Sequence, residues 1–121
     1  MRLNGRTMSG QGGDRESALL ADAIQWRDRV LTDVKSARGR AAADAHQLPI
    51  ELIVEAVGLI AAHIARGEIL VSRRETIGAL CGPRQARRVA AYLEARGHIE
   101  PVADRDLFRP LGVRPGELPI G

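Results

Sequence analysis

The dipeptide Gly82-Pro83 constrains the fold of this chain more than any other feature, because it interrupts a helical pattern that continues on both sides. Before it, Ile77 and Leu80 lie on the inward side of a short helix predicted over 74–81. After it, apolar residues recur at helical spacing over 83–96, namely Ala86, Val89, Ala90 and Leu93. Glycine followed by proline is a strong breaker of regular structure. The sequence therefore predicts two helices joined by a tight turn.

A strand and a hairpin are predicted on either side of these helices. The run 68–71 is short and contains β-branched residues, which is typical of a strand. Residues 72–75, Ser-Arg-Arg-Glu, match a capping box, in which the serine hydroxyl accepts from the amide three residues on and the glutamate reaches back. Gly97 is placed to end the second helix. Two short extended runs, 99–102 and 107–109, are separated by four polar or small residues and predict the hairpin.

In this order of elements the chain resembles the winged helix-turn-helix superfamily of bacterial and mobile-element regulators. Residues 72–80 (SRRETIGAL) and 89–99 (VAAYLEARGHI) carry the resemblance, the second through the pattern Leu-Glu-x-x-Gly-x-Ile. The resemblance covers about residues 68–110, which is roughly a third of the chain. The turn at 81–86 is about one residue shorter than is usual in the superfamily, a difference that can tilt the second helix.

The resemblance implies that the helix after Gly82-Pro83 enters the major groove of double-stranded DNA. There, arginine can fork onto guanine and glutamine onto adenine. Arg73 and Arg74 would clasp phosphate with their side chains and with backbone amides at the start of the preceding helix. The wing would add contacts to the DNA backbone or minor groove. The DNA-binding residues predicted in this way are Arg73, Arg74, Arg84, Gln85, Arg87, Arg88, Arg105 and Arg109.

Three residues in this region leave the interpretation open. Tyr92 is either part of the outward face of the second helix or a packing residue under the wing. Asp104 and Asp106 lie beside Arg105 at the tip of the wing, where acidic side chains would repel phosphate.

The first half of the chain predicts two strongly apolar helices, one over 14–38 and one over 49–66. A turn around Gly39 and a polar stretch to residue 47 are predicted between them. Pro49 suits the first helical position of the second helix, and Gly67 is placed to end it. Apolar residues of the first form two adjacent stripes: Leu19, Ala23, Trp26, Val30 and Val34, and beside them Leu20, Ile24 and Leu31. Such a wide face exceeds what one partner helix covers. These helices either pack within the chain or form a homodimer interface. Residues 1–13 are predicted to be a flexible tail, and 111–121 a C-terminal tail.

Basic charge is concentrated towards the C-terminal end of the chain. Residues 73–109 contain eight arginines and five acids, whereas residues 14–66 contain seven cations and eight acids. A localised basic patch suggests an anionic partner. The three aromatic residues are too few for the stacking surfaces of proteins that bind single strands or unpaired bases.

Other kinds of chemistry find little support in the sequence. Cys81 is the only cysteine, and neither it nor the scattered His46, His63 and His98 has the spacing of a metal site or a nucleophile with its base. We predict no enzyme, no cofactor and no metal. Cys81 is expected to be a buried small hydrophobe. The most apolar segment, 52–65, is too short for a bilayer, and we expect a cytoplasmic protein that does not engage membranes.

Together these observations predict a mostly α protein with a small β-hairpin, a winged helix-turn-helix preceded by two apolar helices in a single domain over 14–110. The predicted function is sequence-specific binding of double-stranded DNA by a homodimeric transcriptional regulator. The alternative is a winged-helix module of a mobile element that docks onto or inhibits another protein without binding DNA. A third, weaker candidate is a structural phage or plasmid component that binds DNA only within an assembly.

Overall fold

The computed structural model describes the backbone of residues 3–113 and the side chains of residues 14–113. Within this range the elements are α1 (Leu3–Lys35), α2 (Ala37–Ala45), α3 (Ile50–Ala65), β1 (Val71–Ser72), a π-helical turn (Arg74–Gly78), α4 (Ala79–Ala95), β2 (Ile99–Pro101) and β3 (Leu107–Pro110). The fold is mostly helical with a small antiparallel sheet, in agreement with the predicted class. Apart from 111–113, the predicted C-terminal tail lies outside the described residues.

Helix α1 is longer at its start than the sequence predicts. It begins at Leu3, not near Asp14, so most of the stretch predicted as a tail continues the helix. Once a helix has been nucleated, each further residue adds a backbone hydrogen bond, and a helix anchored by packing can extend beyond its apolar part. The helix ends at Lys35, three residues before the predicted boundary at 38.

Helix α2 is not predicted from the sequence, which indicates a turn around Gly39 and a polar stretch to residue 47. Ser36 makes the corner between the helices: its hydroxyl donates to Asp33 O at 2.6 Å and accepts from Gly39 N at 3.0 Å. Gly39 is buried so tightly that a Cβ built on it would lie 1.8 Å from Asp33 O. The glycine that suggested a turn therefore allows α2 to fold back against the end of α1.

The core lies between α1 and α3 and continues to the inner face of α4 and the sheet. The buried residues of α1 come from the first apolar stripe: Ala23, Trp26, Val30 and Val34. In the second stripe Leu31 is partly buried against the core, whereas Leu20 and Ile24 are exposed. From α3 the buried residues are Ile53, Ala56, Val57, Ile60, Ala61 and Ile64. The predicted wide apolar face is thus only partly used within the chain.

The predicted break between the two C-terminal helices is confirmed. Regular helix stops at Gly82, whose φ of 83° and ψ of 166° lie outside the helical region, and resumes at Pro83. A positive φ is disfavoured for residues with a Cβ, so glycine suits this position. The ends predicted at Gly67 and Gly97 are also confirmed, since both glycines follow directly on the helix caps. Pro49 is the N-cap of α3, one residue before the helical position predicted for it.

The sheet has three short antiparallel strands in the order β1-β3-β2. Strands β2 and β3 form the predicted hairpin, with Glu100 opposite Arg109. Strand β1 is Val71–Ser72, displaced from the predicted 68–71, because Val71 pairs with Phe108 and both side chains enter the core. Ile69 and Leu70, which were predicted to be in the strand, are exposed.

Within residues 3–113 no single helix has both the length and the apolar character to cross a membrane; α2 and α3 meet that test only as a pair bent by 102°.

Candidate nucleic-acid interface

The outer side of α4 presents three arginines, Arg84, Arg87 and Arg88, which we call the arginine face. All three are exposed, and Gln85 beside them is partly buried. Ala86, Val89 and Leu93 point the other way into the core, so packing fixes the direction of the face. Among the described residues, no carboxylate oxygen lies within 4.0 Å of these guanidinium groups. Their donors therefore remain available to a partner.

A groove runs between α4 and the loop that joins β2 to β3, residues 102–106. It is lined by Arg73, Arg87, Pro101, Val102, Asp104, Arg105 and Leu107, and we call it the loop groove. Three of the predicted site residues, Arg73, Arg87 and Arg105, are brought together here from separate parts of the chain. Arg73 also borders a neighbouring hollow with Arg74, Gly78, Pro83, Ala86 and Asp106. The loop groove thus connects Arg87 of the arginine face to Arg105 of the β2–β3 loop, with Asp104 in the same lining.

Asp106 occupies the backbone amides that were predicted to clasp phosphate. Its Oδ1 accepts from Arg74 N at 2.9 Å, and its backbone oxygen accepts from Arg73 N at 2.6 Å. Its Oδ2 accepts from the Ser72 hydroxyl at 2.6 Å. The prediction of an anion site on these amides is therefore wrong, because the carboxylate and the backbone oxygen of Asp106 already accept from them. Only the side chains of Arg73 and Arg74 remain free for an anion.

The predicted capping box at residues 72–75 is half right. Ser72 Oγ accepts from Glu75 N at 3.1 Å, as expected. Glu75 makes no return bond among the described residues; the Asp106 carboxylate accepts instead from the Ser72 hydroxyl and the Arg74 amide. No local sequence pattern indicates this contact, because Asp106 is more than 30 positions further along the chain.

Both acids of the β2–β3 loop have structural partners. Asp104 Oδ1 accepts from Asp106 N at 2.8 Å, which fixes the turn. The hydrogen bond from Ser72 lowers the pKa of Asp106, and the bond from the Arg74 amide acts in the same direction. Asp106 is therefore ionised in order to hold the loop, and its charge is shared with hydrogen-bond donors of this chain.

Arg109 lies apart from the other predicted site residues. Its Nη2 is 2.7 Å from Glu100 Oε2 on the neighbouring strand, and it borders a different pocket with Ile64, Glu68 and Ile69. The structure therefore groups seven of the eight predicted residues around α4 and the π-helical turn, and separates Arg109 from them.

Tyr92 is a core residue, which settles the question that the sequence left open. Its ring is fully buried and lies edge-on to His46, with centroids 5.8 Å apart. Its hydroxyl donates to Gly39 O at 3.0 Å, so the residue packs under α2 and not under the β2–β3 loop. Tyr92 cannot contact a partner on the arginine face.

The cysteine and the histidines lie apart from any group that could hold a metal ion in the described part of the chain. No three side chains of His, Cys, Asp or Glu come together there as a group that could hold a metal ion. Cys81 is half-buried, not fully buried as expected, and burial raises the pKa of its thiol. A raised pKa keeps the thiol protonated and weakly nucleophilic.

Comparison of the chain with protein-family models, curated proteins and solved structures finds no match.

Proposed function

We propose that this protein is a winged helix-turn-helix protein that binds double-stranded DNA through α4 and acts as a small transcriptional regulator. Support comes from the order strand, short helix, break, longer helix and hairpin, together with the strand order β1-β3-β2. In this arrangement α4 beyond Gly82 is the recognition helix and the β2–β3 loop is the wing.

The observation that carries the proposal is the arginine face with its continuation into the loop groove. Arg84, Arg87 and Arg88 are exposed on the first turns after the break, the part of a recognition helix that meets base edges. Arg73 and Arg105 flank them at the groove, where phosphate contacts would orient the protein. A duplex offers both partners at once, because guanine edges accept bidentate bonds and the backbone carries regular negative charge.

The test is binding of a short mixed-sequence DNA duplex by wild type and by the variant Arg84→Ala/Arg87→Ala/Arg88→Ala. At about 1 kcal/mol or more per arginine, we expect roughly a 100-fold loss of affinity near 0.1 M salt. Selection from randomised duplexes tests base reading, and wild type should enrich a consensus that the variant does not.

The matched control removes three exposed arginines from α1 and α2, in the variant Arg15→Ala/Arg38→Ala/Arg40→Ala. It lowers the net charge by the same amount as the first variant and leaves the arginine face intact. We therefore expect only a small, non-specific loss of DNA affinity. Absence of wild-type binding at low salt, or equal losses in the two triple variants, would show that the proposed interface is wrong.

We also propose that the protein is a homodimer through the apolar groove between α1 and α3, which is lined by Leu20, Ala23, Ile24, Arg27, Gly58, Ala61, Ala62 and Ala65. Leu20 is 53% exposed, Ile24 37% and the adjacent Leu59 39%. The one charged lining residue, Arg27, is paired with Asp28 at 3.2 Å, so two such grooves can meet about a twofold axis without like-charge repulsion. A dimer would present two recognition helices about 34 Å apart.

The variant Leu20→Glu/Ile24→Glu is expected to convert a dimer into a monomer, because four acids would face one another across the axis. Sedimentation equilibrium at micromolar concentration measures this directly. The control Ile69→Glu/Leu70→Glu adds the same charge at exposed apolar residues outside the groove and should stay dimeric. A monomeric wild type, or a dimer indifferent to both changes, contradicts the proposed interface.

A second candidate function is docking onto another protein without contact to DNA. The same exposed Leu20, Ile24 and Leu59 favour it, because they leave part of a strongly apolar helix pair uncovered. A folded, monomeric wild type that fails to bind duplex at low salt would favour this candidate over a DNA-binding regulator.

A further inference from the structure

One residue fastens the β2–β3 loop to the start of the helix-turn-helix segment. The ladder between β1 and β3 ends at the pair Ser72 and Leu107. Beyond it, Arg73 N donates to Asp106 O, which extends the pairing by one step. The Asp106 carboxylate then bridges the Ser72 hydroxyl and the Arg74 amide, with O–O and N–O distances of 2.6 and 2.9 Å. These bonds join segments 32 to 34 residues apart along the chain.

We propose that Asp106 is a positioning residue that clamps the β2–β3 loop onto the π-helical turn and thereby sets Arg73 and Arg105 across the loop groove from each other. This inference rests on the proposed DNA-binding function for its consequence, although the clamp itself does not require DNA. Asp106 is bonded through its backbone to Arg73 and is the chain neighbour of Arg105. A displacement of Asp106 therefore moves both cations.

The carboxylate suits this role better than a neutral side chain. It accepts from two donors on different oxygens, and charge-assisted bonds of this type are shorter and stronger than neutral ones. Asp104 Oδ1 receives the Asp106 amide, so the loop is also tightened from its other side. With both oxygens engaged, the loop has one preferred position relative to Arg73 and Arg74.

The clamp and simple electrostatics predict opposite results for removal of Asp106. As a negative charge beside a DNA interface, Asp106 alone would repel phosphate, and its removal would strengthen binding. As a clamp, it holds two cations where they can contact phosphate, and its removal would weaken binding. The sign of the change separates the two roles.

The experiment compares Asp106→Ala and Asp106→Asn with wild type in duplex binding over a range of salt, at a temperature where circular dichroism shows all three folded. For Asp106→Ala we expect about a 10-fold loss of affinity and a salt slope lower by about 1 to 2, since up to two phosphate contacts are lost at about 0.9 each. Asp106→Asn retains one acceptor oxygen and should recover part of the loss. Equal or tighter binding by Asp106→Ala, with an unchanged slope, would overturn the proposal.

Glu75→Ala is the matched control. Glu75 is an exposed acid on the same turn, and its side chain has no hydrogen bond or ion pair among the described residues. Its replacement removes one negative charge and no clamp, so we expect affinity equal to or higher than that of wild type. A loss equal to that of Asp106→Ala would mean that the clamp is not the cause.

Amide hydrogen exchange without DNA separates failure of the clamp from failure of the DNA-binding proposal. In Asp106→Ala, protection is expected to fall at the amides of Arg74 and of residues 104–107, whereas Glu75→Ala should match wild type. If this occurs and wild type binds no duplex, the clamp stands and the DNA function is wrong. Unchanged protection overturns the clamp whatever DNA binding shows. Should Asp106→Ala not fold, Asp106→Asn provides the same comparison with a smaller expected change.

Discussion

Replacement of Gly39 by alanine is expected to destabilise the protein by about 3 kcal/mol, although alanine is the better helix former by about 1 kcal/mol. The added Cβ would lie 1.8 Å from Asp33 O, 2.7 Å from Asp33 C and 2.9 Å from Val34 Cα. All three are backbone atoms, so no side chain can rotate away and α2 must move as a body. That movement would also disturb the bond from the Tyr92 hydroxyl to Gly39 O.

Gly58→Ala is the matched control for this prediction. Gly58 lies in the middle of α3, and a Cβ built on it meets no atom within 4 Å. Only the higher helix propensity of alanine acts here, so we expect the free energy of unfolding to rise by about 0.5 to 1 kcal/mol. Urea unfolding followed by circular dichroism measures both changes, at a concentration low enough for the chain to be monomeric. If both variants changed the free energy of unfolding in the same direction, the close packing of α2 on α1 would be contradicted.

Gly39 also illustrates why part of the fold could not be predicted from the sequence. The break at Gly82-Pro83, the helix ends at Gly67 and Gly97 and the hairpin are encoded by neighbouring residues, and all were predicted correctly. A glycine that serves a close approach between helices carries no such local signature and resembles a turn. The available signal for α2 was Ser36, an N-cap residue followed by an alanine-rich stretch.

The candidate site shows the same division between local and distant information. Exposure of Arg84, Arg87 and Arg88 follows from the helical period of the buried residues on α4. Burial of Tyr92 does not follow from this period, because the element that covers it is α2, which has only a weak local signal in the sequence. The role of Asp106 depends on pairing between β1 and β3, so an acid that looked unfavourable for DNA binding is instead part of the local architecture.

Replacement of Asp33 by alanine is expected to cost about 2 to 3 kcal/mol at neutral pH, a value between those of exposed and buried ion pairs. Arg96 Nε and Nη2 donate to its two oxygens at 3.0 and 2.6 Å, and His98 Nε2 lies 2.8 Å from Oδ2. The carboxylate thus joins α1 to the end of α4 and the start of β2. Without it, the buried His98 loses its partner and the Arg96 guanidinium is left half-buried and unpaired.

The cost of this replacement should depend on pH in a definite direction. The hydrogen bond from Arg96, and after it that from His98, lowers the pKa of Asp33 in the folded protein. A lowered pKa contributes stability that is fully present above the unfolded value of about 3.9 and is lost as pH falls through the folded value. The difference between wild type and Asp33→Ala is therefore largest at neutral pH and shrinks below about pH 3.9.

Asp28→Ala on the same helix provides the control, because among the described residues Asp28 pairs only with the exposed Arg27. Such a pair contributes about 0 to 1 kcal/mol, so its loss should be small at every pH. Urea unfolding between about pH 2 and 7, at a concentration low enough for the chain to be monomeric, compares the two variants with wild type. A constant cost of Asp33→Ala across this range would mean that packing, and not the charge on Asp33, joins α1 to the end of α4. A cost that disappears in acid would mean that the cluster of Asp33, Arg96 and His98 joins these helices. The same cluster would then position the C-terminal end of α4, the helix that carries the arginine face.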